Sequence, residues 1–367
     1  MTRLREVLDD IADEAPSVSL ADLAVAGHRR RRRTVLALAA VAAVVALAAG
    51  TASVTLLESR GDHTATPQRS ETVPGLPGGK VGPLGYAYQT PCKVDRKRNV
   101  DCSATEWRVV TRTGTTYRVP QALAHNAKQW HVPISISRDG RMLAYYSRQA
   151  QAHVVRDLVT GSEVTSPVTV KEERMGPGTM LVVSDDGRHV VFDPREGSRD
   201  PALLIDVRTG TTRSISGKYE TIGVKDGVAQ LVRYRRTDLW LTPVTGGGAP
   251  VRFDGVFILF SELAPDGRTV AAFEFVKGRL ETRKLTLLDA RTGRILRKVT
   301  IRGLPKNGGF TATSPWRSGS ELTLLYMHGK GIRTAYAFDI NTGQTRQIAR
   351  YPNNLPYMAF PGVAESK

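Results

Sequence analysis

ISISRDGRMLAYYS, residues 134–147, places an apolar strand on each side of an Asp-Gly turn, and the same unit recurs along the 367-residue chain. Gly takes a positive φ at little cost and Asp bonds the backbone of tight turns, so each copy predicts a β-hairpin. Three further copies are LVVSDDGRHVVFD (181–193), GVKDGVAQLVRY (223–234) and LAPDGRTVAAFEF (263–275). A fifth, degenerate copy, SPWRSGSELTLLY (314–326), keeps the glycine but has lost the aspartate.

A second unit alternates with the first: a strand that ends in a Thr-Gly turn, usually with Asp in front. Its six copies are TRTG (111–114), DLVTG (157–161), DVRTG (206–210), PVTG (243–246), DARTG (289–293) and DINTG (339–343). Their glycines are 47, 49, 36, 47 and 50 residues apart. Two hairpin turns per repeat imply four short strands, and a period in the forties is that of propeller blades. The sequence therefore predicts an all-β fold, a six-bladed β-propeller with four-stranded blades over residues 84–363.

The Asp-Gly hairpins also resemble a known repeat. Asp139 to Ala144, Asp186 to Val191 and Asp266 to Ala271 follow the pattern D-G-[RK]-x-[ILV]-[AV] of TolB-like, WD40-like propellers. With a short tail that ends in Arg29–Arg33 and an Ala/Val-rich stretch over residues 34–57, the plan resembles actinobacterial single-pass membrane proteins with such an ectodomain. The resemblance implies the fold and leaves the function open, because propellers host many unrelated activities.

Residues 34–57 form an uncharged stretch of 24 residues, TVLALAAVAAVVALAAGTASVTLL. About 20 apolar residues in a helix cross a hydrocarbon core, so this stretch predicts a transmembrane helix. Five arginines, Arg29–Arg33, precede it, and only Glu58 and Arg60 follow closely. By the positive-inside rule the N-terminus is cytoplasmic and the propeller is outside the cell membrane. A cleaved signal peptide is the alternative, although the apolar run is longer than a usual signal core.

Three further features concern the rest of the chain. Residues 1–33 predict a short helical cytoplasmic tail, and residues 58–83, rich in Thr, Pro, Gly and Ser, predict a flexible stalk. Cys92 and Cys102 are the only cysteines, and an even pair in an oxidising compartment predicts a disulfide. No further His, Cys or carboxylate ligands stand near them at a suitable spacing, so no metal site is predicted.

No set of catalytic residues stands out. The seven histidines form no metal-binding pair at helical spacing, and the chain lacks a G-x-S-x-G elbow, a phosphate loop and a Rossmann glycine pattern. Ser184-Asp185-Asp186-Gly187 offers two carboxylates that could suggest Ca²⁺, yet it occupies the ordinary hairpin position and has too few oxygen ligands nearby. We expect no enzymatic activity and no cofactor.

The charge is distributed unevenly. Formal net charge is +17, and residues 61–367 carry 44 basic and 28 acidic side chains. If the strands of each blade are a to d, the b–c loops share one face with the d-to-a linkers, and both turn types lie on the other. The b–c loops hold five acids and twelve candidate ligand-binding cations: Lys93, Arg96, Lys97, Arg98, Arg148, Arg195, Arg199, Arg235, Arg236, Lys277, Arg279 and Lys330.

This asymmetry predicts a partner of opposite charge, because a basic surface attracts anions. The leading hypothesis is a membrane-anchored, non-enzymatic binding or scaffold module that recognises an acidic protein or an anionic envelope polymer, with no role for nucleic acid. The alternatives are a transmembrane sensor that couples the propeller to a cytoplasmic partner of the tail, and an envelope glycan-active enzyme. A basic rim that only keeps the protein soluble is the plainer explanation of the same charges.

Overall fold

The structure is a computed structural model that describes residues 73–364, except for residues 196, 197, 199, 235, 277, 278, 330 and 354. In this part of the chain the regular structure is β, apart from one turn of 3₁₀-helix at Glu172–Arg174. The first thirteen strands are β1 (Leu84–Gln89), β2 (Lys93–Val94), β3 (Val100–Asp101), β4 (Trp107–Thr111), β5 (Thr116–Val119), β6 (Ser135–Ile136), β7 (Met142–Ser147), β8 (Ala152–Asp157), β9 (Glu163–Thr169), β10 (Met180–Val183), β11 (His189–Asp193), β12 (Ala202–Asp206) and β13 (Thr212–Ile215).

The second half of the chain continues in the same way, with short antiparallel strands joined by tight turns. Its strands are β14 (Glu220–Lys225), β15 (Val228–Arg233), β16 (Asp238–Pro243), β17 (Val251–Arg252), β18 (Phe257–Ile258), β19 (Thr269–Val276), β20 (Arg279–Leu280), β21 (Lys284–Asp289), β22 (Ile295–Thr300), β23 (Gly308–Trp316), β24 (Glu321–His328), β25 (Ile332–Asp339), β26 (Thr345–Arg350) and β27 (Met358–Ala359).

These strands form six antiparallel sheets, each with a main path of four strands. The orders are β27-β1-β4-β5, β6-β7-β8-β9, β10-β11-β12-β13, β14-β15-β16-β17, β18-β19-β21-β22 and β23-β24-β25-β26, which we call blades 1 to 6. Two small hairpins, β2–β3 in blade 1 and β19–β20 in blade 5, extend from b–c loops. In every blade the four strands lie in the order a, b, c, d. The Asp-Gly and Thr-Gly turns therefore lie at one end of each sheet and the b–c loops at the other, as predicted.

Apolar clusters between successive blades show that the sheets form a closed ring. Leu143 of blade 2 packs with Trp107 of blade 1 on one side of its sheet, while Tyr146 packs with Phe192 of blade 3 on the other. Similar clusters join blades 3 and 4, 4 and 5, and 5 and 6. A sixth cluster joins Leu325 of blade 6 to Met358 of blade 1. The predicted all-β, six-bladed propeller with four-stranded blades is therefore confirmed for the described residues.

The ring closes through the C-terminal strand. β27 is the innermost strand of blade 1 and runs antiparallel to β1, with Ala359 opposite Ala87 and Met358 opposite Tyr88. The backbone N–H of Gln89 also donates to the carbonyl of Tyr357, at 3.1 Å. Successive side chains of a strand point to opposite faces, so Met358 packs towards blade 6 and Ala359 towards blade 2.

A repeated ion pair explains why the turns carry Asp and Arg. In blade 2 the arginine after the Asp-Gly turn, Arg141, contacts the aspartate that begins the Thr-Gly turn, Asp157, at 2.5 Å. The same pair is Arg188 with Asp206 at 2.9 Å in blade 3, and Arg268 with Asp289 at 2.6 Å in blade 5. The repeated arginine and aspartate therefore have a structural role: their ion pair links the Asp-Gly turn to the Thr-Gly turn of the same blade.

The described part of the predicted stalk, residues 73–83, contacts blades 1 and 2. Leu76 is buried, and its N–H donates to the carbonyl of Arg118 on β5 at 2.7 Å. Further along, the N–H groups of Val81 and Gly82 donate to the carbonyl of Leu158. Contacts with the propeller therefore begin well before residue 84, because amide groups of this segment donate to carbonyls of the outer strand of blade 1 and of the Thr-Gly turn of blade 2.

The N-terminal predictions lie outside the described residues: the tail over 1–33, the transmembrane helix over 34–57 and the first part of the stalk. Within residues 73–364, gaps excepted, no helix has the length and apolar character needed to cross a membrane.

Candidate functional site

The predicted disulfide is present and closes an exposed hairpin on the b–c face. Cys92 and Cys102 are bonded, with their Cα atoms 4.4 Å apart, and they enclose β2 and β3. Lys93 pairs with Asp101 across the two strands, and Val94 pairs with Val100. Every residue from 93 to 101 is exposed. We call residues 92–102 the basic hairpin; the bond holds it as one unit outside the core.

The acids of the basic hairpin are engaged in its turns. Asp95 accepts the backbone N–H and the side-chain amide of Asn99, both at 2.8 Å, and these bonds lower its pKa. Asp101 accepts the backbone N–H of Ser103 at 2.9 Å, with the same effect on its pKa. Both carboxylates stay charged and are used to shape the loop.

The cations of the basic hairpin are exposed. Among the residues the structure describes, no ion pair forms at the side chains of Lys93, Arg96, Lys97 or Arg98. The disulfide and the hydrogen-bonded turn restrict the backbone that carries these cations. They can therefore contact an anion with little loss of backbone entropy.

The other eight predicted cations fall into three groups. Arg148 bonds the carboxylate of Glu172 at 2.9 and 3.0 Å, so its charge is locally balanced. Three of the eight are exposed and form no ion pair among the described residues: Arg195, Arg236 and Arg279. The cations outside the described residues are Arg199, Arg235, Lys277 and Lys330. A cavity of about 550 Å³ at the base of the basic hairpin is lined by Cys102, His125 and Arg148 among others.

On the opposite face, the arginines of the Asp-Gly turns are paired. Arg138 contacts Asp185 at 2.6 Å and Glu262 at 3.5 Å, and Arg317 contacts Glu321 at 3.0 Å. The repeated pairs of Arg141, Arg188 and Arg268 lie on this face as well. The arginines of the Asp-Gly turns therefore have carboxylate partners, whereas the cations of the basic hairpin have none among the described residues; Arg208 and Arg294 of the Thr-Gly turns are exposed and unpaired as well.

A small pocket on the propeller axis was missed by the sequence analysis. It holds about 170 Å³ and is lined by Arg138, Asp185 and Glu262 from the inner ends of blades 2, 3 and 5, with Gly362–Ala364 of the C-terminal segment. In the sequence motif that suggested Ca²⁺, Asp186 caps the hairpin turn as expected, while Asp185 bonds Arg138. The sequence feature that could have indicated this pocket is Glu262, a charged residue within the largely apolar stretch 257–264.

Burial raises the pKa of both Asp185 and Glu262 above the ordinary range, and Arg138 opposes that shift. Raised carboxyl pKa values occur at sites of proton transfer and also in structural ion-pair networks. Here both carboxyls share one guanidinium, and the N–H of Gly362 donates to the carbonyl of Ile136 at 3.0 Å across the same opening. The arrangement connects three blades and leaves room for a few waters or a small ion.

The fold also brings a histidine to the disulfide. His125 lies with the sulfurs of Cys92 and Cys102 in a group whose ligand atoms are all within 4.8 Å of one another. The sequence analysis found no such neighbour because His125 is 23 positions beyond Cys102. Both sulfurs are bonded to each other and carry no thiolate, so in this state the group offers a single imidazole to a metal.

No family model matches this chain, and no curated protein matches it. Several solved structures do. TolB from Acinetobacter baumannii is 16% identical over 78% of this chain and 68% of that one, with a TM-score of 0.48. Streptogramin B lyase is 12% identical over 76% and 88%, with a TM-score of 0.44. The β-propeller domain of Myceliophteria thermophila Cps50 is 15% identical over 64% and 75%, with a TM-score of 0.39.

Proposed function

We propose that this chain is a membrane-anchored, non-enzymatic binding or scaffold module whose basic hairpin recognises an acidic protein or an anionic envelope polymer. The observation that carries the proposal is the basic hairpin itself, a disulfide-closed loop that exposes four cations while its two carboxylates bond its own turns. Arg195, Arg236 and Arg279 add exposed positive charge on the same face.

A solvated rim would keep the protein soluble without any partner, and such a rim needs no fixed geometry. The basic hairpin has a fixed geometry, since a covalent bond and a capped turn hold it. It also exposes Val94 at 63% and Val100 at 59%, side by side on its two strands. Apolar side chains displayed beside cations on a rigid loop favour a contact surface over a purely solubilising one.

Charge reversal on the basic hairpin tests the proposal. The full chain with Arg96→Glu and Lys97→Glu should bind poly-glutamate and acidic envelope fractions roughly tenfold more weakly or worse, because each exposed charge contact contributes up to about 1 kcal/mol and each reversal adds repulsion. Binding by the unaltered chain should also weaken with salt, since attraction is screened over about 10 Å at 0.1 M. Titration of labelled polymer by fluorescence anisotropy measures both effects.

The matched control reverses two exposed arginines of the opposite face, Arg208→Glu and Arg294→Glu, which form no ion pair among the described residues. This variant has the same net charge as the test variant and should bind like the unaltered chain. Equal weakening by both variants would reduce the basic hairpin to a contributor to net charge.

Anchoring by residues 34–57 is the part of the proposal that rests on sequence alone. Protease added to intact protoplasts should digest residues 61–367 and spare the N-terminal tail, because the arginine cluster retains the N-terminus in the cytoplasm. Immunoblots with antibodies to the propeller and to an N-terminal tag report the two ends. Protection of the propeller in intact protoplasts would refute this orientation.

A further inference from the structure

The junction between blades 6 and 1 lacks apolar side-chain volume that the junction between blades 5 and 6 has. In blade 5, Leu285 lies four residues before the aspartate of the Thr-Gly turn. It pairs with Val299 on the neighbouring strand, and both side chains pack against blade 6. At the same positions blade 6 has Ala335 opposite Ala349. Small side chains that face a neighbouring sheet leave space between the two sheets unless another group fills it.

That space is part of an open cleft of about 1,020 Å³ between the two sheets. Ala335 is 2% exposed and lies at its floor with Leu84 and Leu325, which are buried as well. Tyr86 and Tyr351 also line it, with their rings edge to face at 5.4 Å. Burial raises the pKa of Tyr351 to about 12, so this phenol is neutral at physiological pH. The part of the cleft that these residues form is therefore largely apolar and carries no charge.

The lining of the cleft is positively charged. Its described side chains include five arginines and no carboxylate: Arg112, Arg138, Arg317, Arg346 and Arg350. Arg317 and Arg346 share Glu321, each at 3.0 Å, while Arg112 donates to the carbonyl oxygen of Asp139 at 2.7 Å. Three arginines at the Thr-Gly-turn end thus have one carboxylate among them, an excess of two positive charges.

We propose that this cleft binds a small organic anion. Its apolar or aromatic body lies over Ala335 and Ala349, in the volume that Leu and Val occupy in blade 5. Its acidic group lies at the Thr-Gly-turn end, where Arg112 and Arg346 supply the hydrogen bonds and the charge. Ligand sites commonly combine a concave apolar floor with a few placed polar groups, and the cleft has both. Guanidinium groups suit carboxylate, phosphate and sulfonate equally, so the head group is defined only as an oxyanion.

The probe is 8-anilinonaphthalene-1-sulfonate, with N-phenyl-1-naphthylamine as its uncharged counterpart, titrated by fluorescence into the full chain. We expect one site for the sulfonate. Arg112→Glu with Arg346→Glu should weaken sulfonate binding at least tenfold and leave the uncharged probe within twofold. Ala335→Leu with Ala349→Val, which installs the pair of blade 5, should weaken both probes at least tenfold. Ala349→Val alone, at a half-buried position, should weaken both if the double variant does not fold.

Two controls separate this site from other effects. Arg208→Glu with Arg294→Glu makes the same charge change and should leave sulfonate binding within twofold. Arg96→Glu with Lys97→Glu should also leave it unchanged, so the cleft and the basic hairpin can fail independently. Sulfonate binding that persists after the cleft is filled, or that ignores the reversal of Arg112 and Arg346, would overturn the proposal.

Discussion

Removal of residues 351–367 is expected to destabilise the propeller by about 4 kcal/mol or more and to make it associate. The truncation takes away β27, the inner strand of blade 1, together with the buried side chains of Met358 and Phe360. Burying one such side chain contributes about 1.5–3 kcal/mol. It also frees the edge of β1, and an unpaired strand edge is a template for pairing with another chain. Denaturant unfolding and light scattering measure the two effects.

A synthetic peptide of residues 351–364 is the matched control for this truncation. If the loss comes from the missing strand, the peptide added in trans should restore most of the stability and return the chain to a monomer. A truncated chain that unfolds at the same denaturant concentration as the full chain, and stays monomeric, would show that the ring does not depend on this closure.

The closure itself could be predicted from the sequence, because it follows from counting strands within a repeat. Leu84–Gln89 aligns with the second strand of later blades and has no Asp-Gly partner before it, whereas Leu355–Phe360 has no blade of its own. Pairing the two completes blade 1, and the structure pairs β27 with β1. Periodicity gives such information because each blade is built from local hairpins whose turns have strict residue requirements.

Groups that meet across blades could not be predicted in this way. Arg138 and Glu262 are 124 positions apart and meet on the axis because both follow inner strands. His125 reaches the disulfide through a linker between blades 1 and 2. The repeat indicates which strand each residue belongs to. Which side chains of different blades come into contact depends on how neighbouring sheets are rotated relative to one another, and that rotation depends on packing.

The cleft between blades 6 and 1 is an intermediate case. Ala335 and Ala349 are visible in the sequence, yet their opposition depends on the register of β25 and β26, which has an irregularity between Ala335 and Tyr336. A register shift of one residue would turn the alternate side chains to the other face of the sheet. Once the register is known, comparison with Leu285 and Val299 identifies the missing volume directly.

Asp289→Ala is expected to lower the free energy of unfolding by about 2–3 kcal/mol, the usual contribution of hydrogen bonds to a charged group. The carboxylate is 2% exposed and bonds Arg268 at 2.6 Å. It also accepts the N–H groups of Arg291 and Thr292 in the Thr-Gly turn, at 2.8 and 3.1 Å. Without it, the turn and the arginine lose a common acceptor, and the two hairpins of blade 5 are no longer tied. Urea unfolding at pH 7 measures the loss.

The matched control is Asp339→Ala in blade 6, where the repeat has the same aspartate but no arginine after the first turn. Asp339 accepts the N–H groups of Asn341 and Thr342 and forms no ion pair among the described residues. Its removal should therefore cost much less than that of Asp289. The bond from Arg268 lowers the pKa of Asp289 to about 2. Since a lowered carboxyl pKa stabilises the fold above its unfolded value near 3.9, the cost of Asp289→Ala should shrink as pH falls from 4 towards 2. Equal losses from the two variants would show that the turn N–H groups alone account for the effect and that the repeated Arg–Asp pair adds nothing to stability.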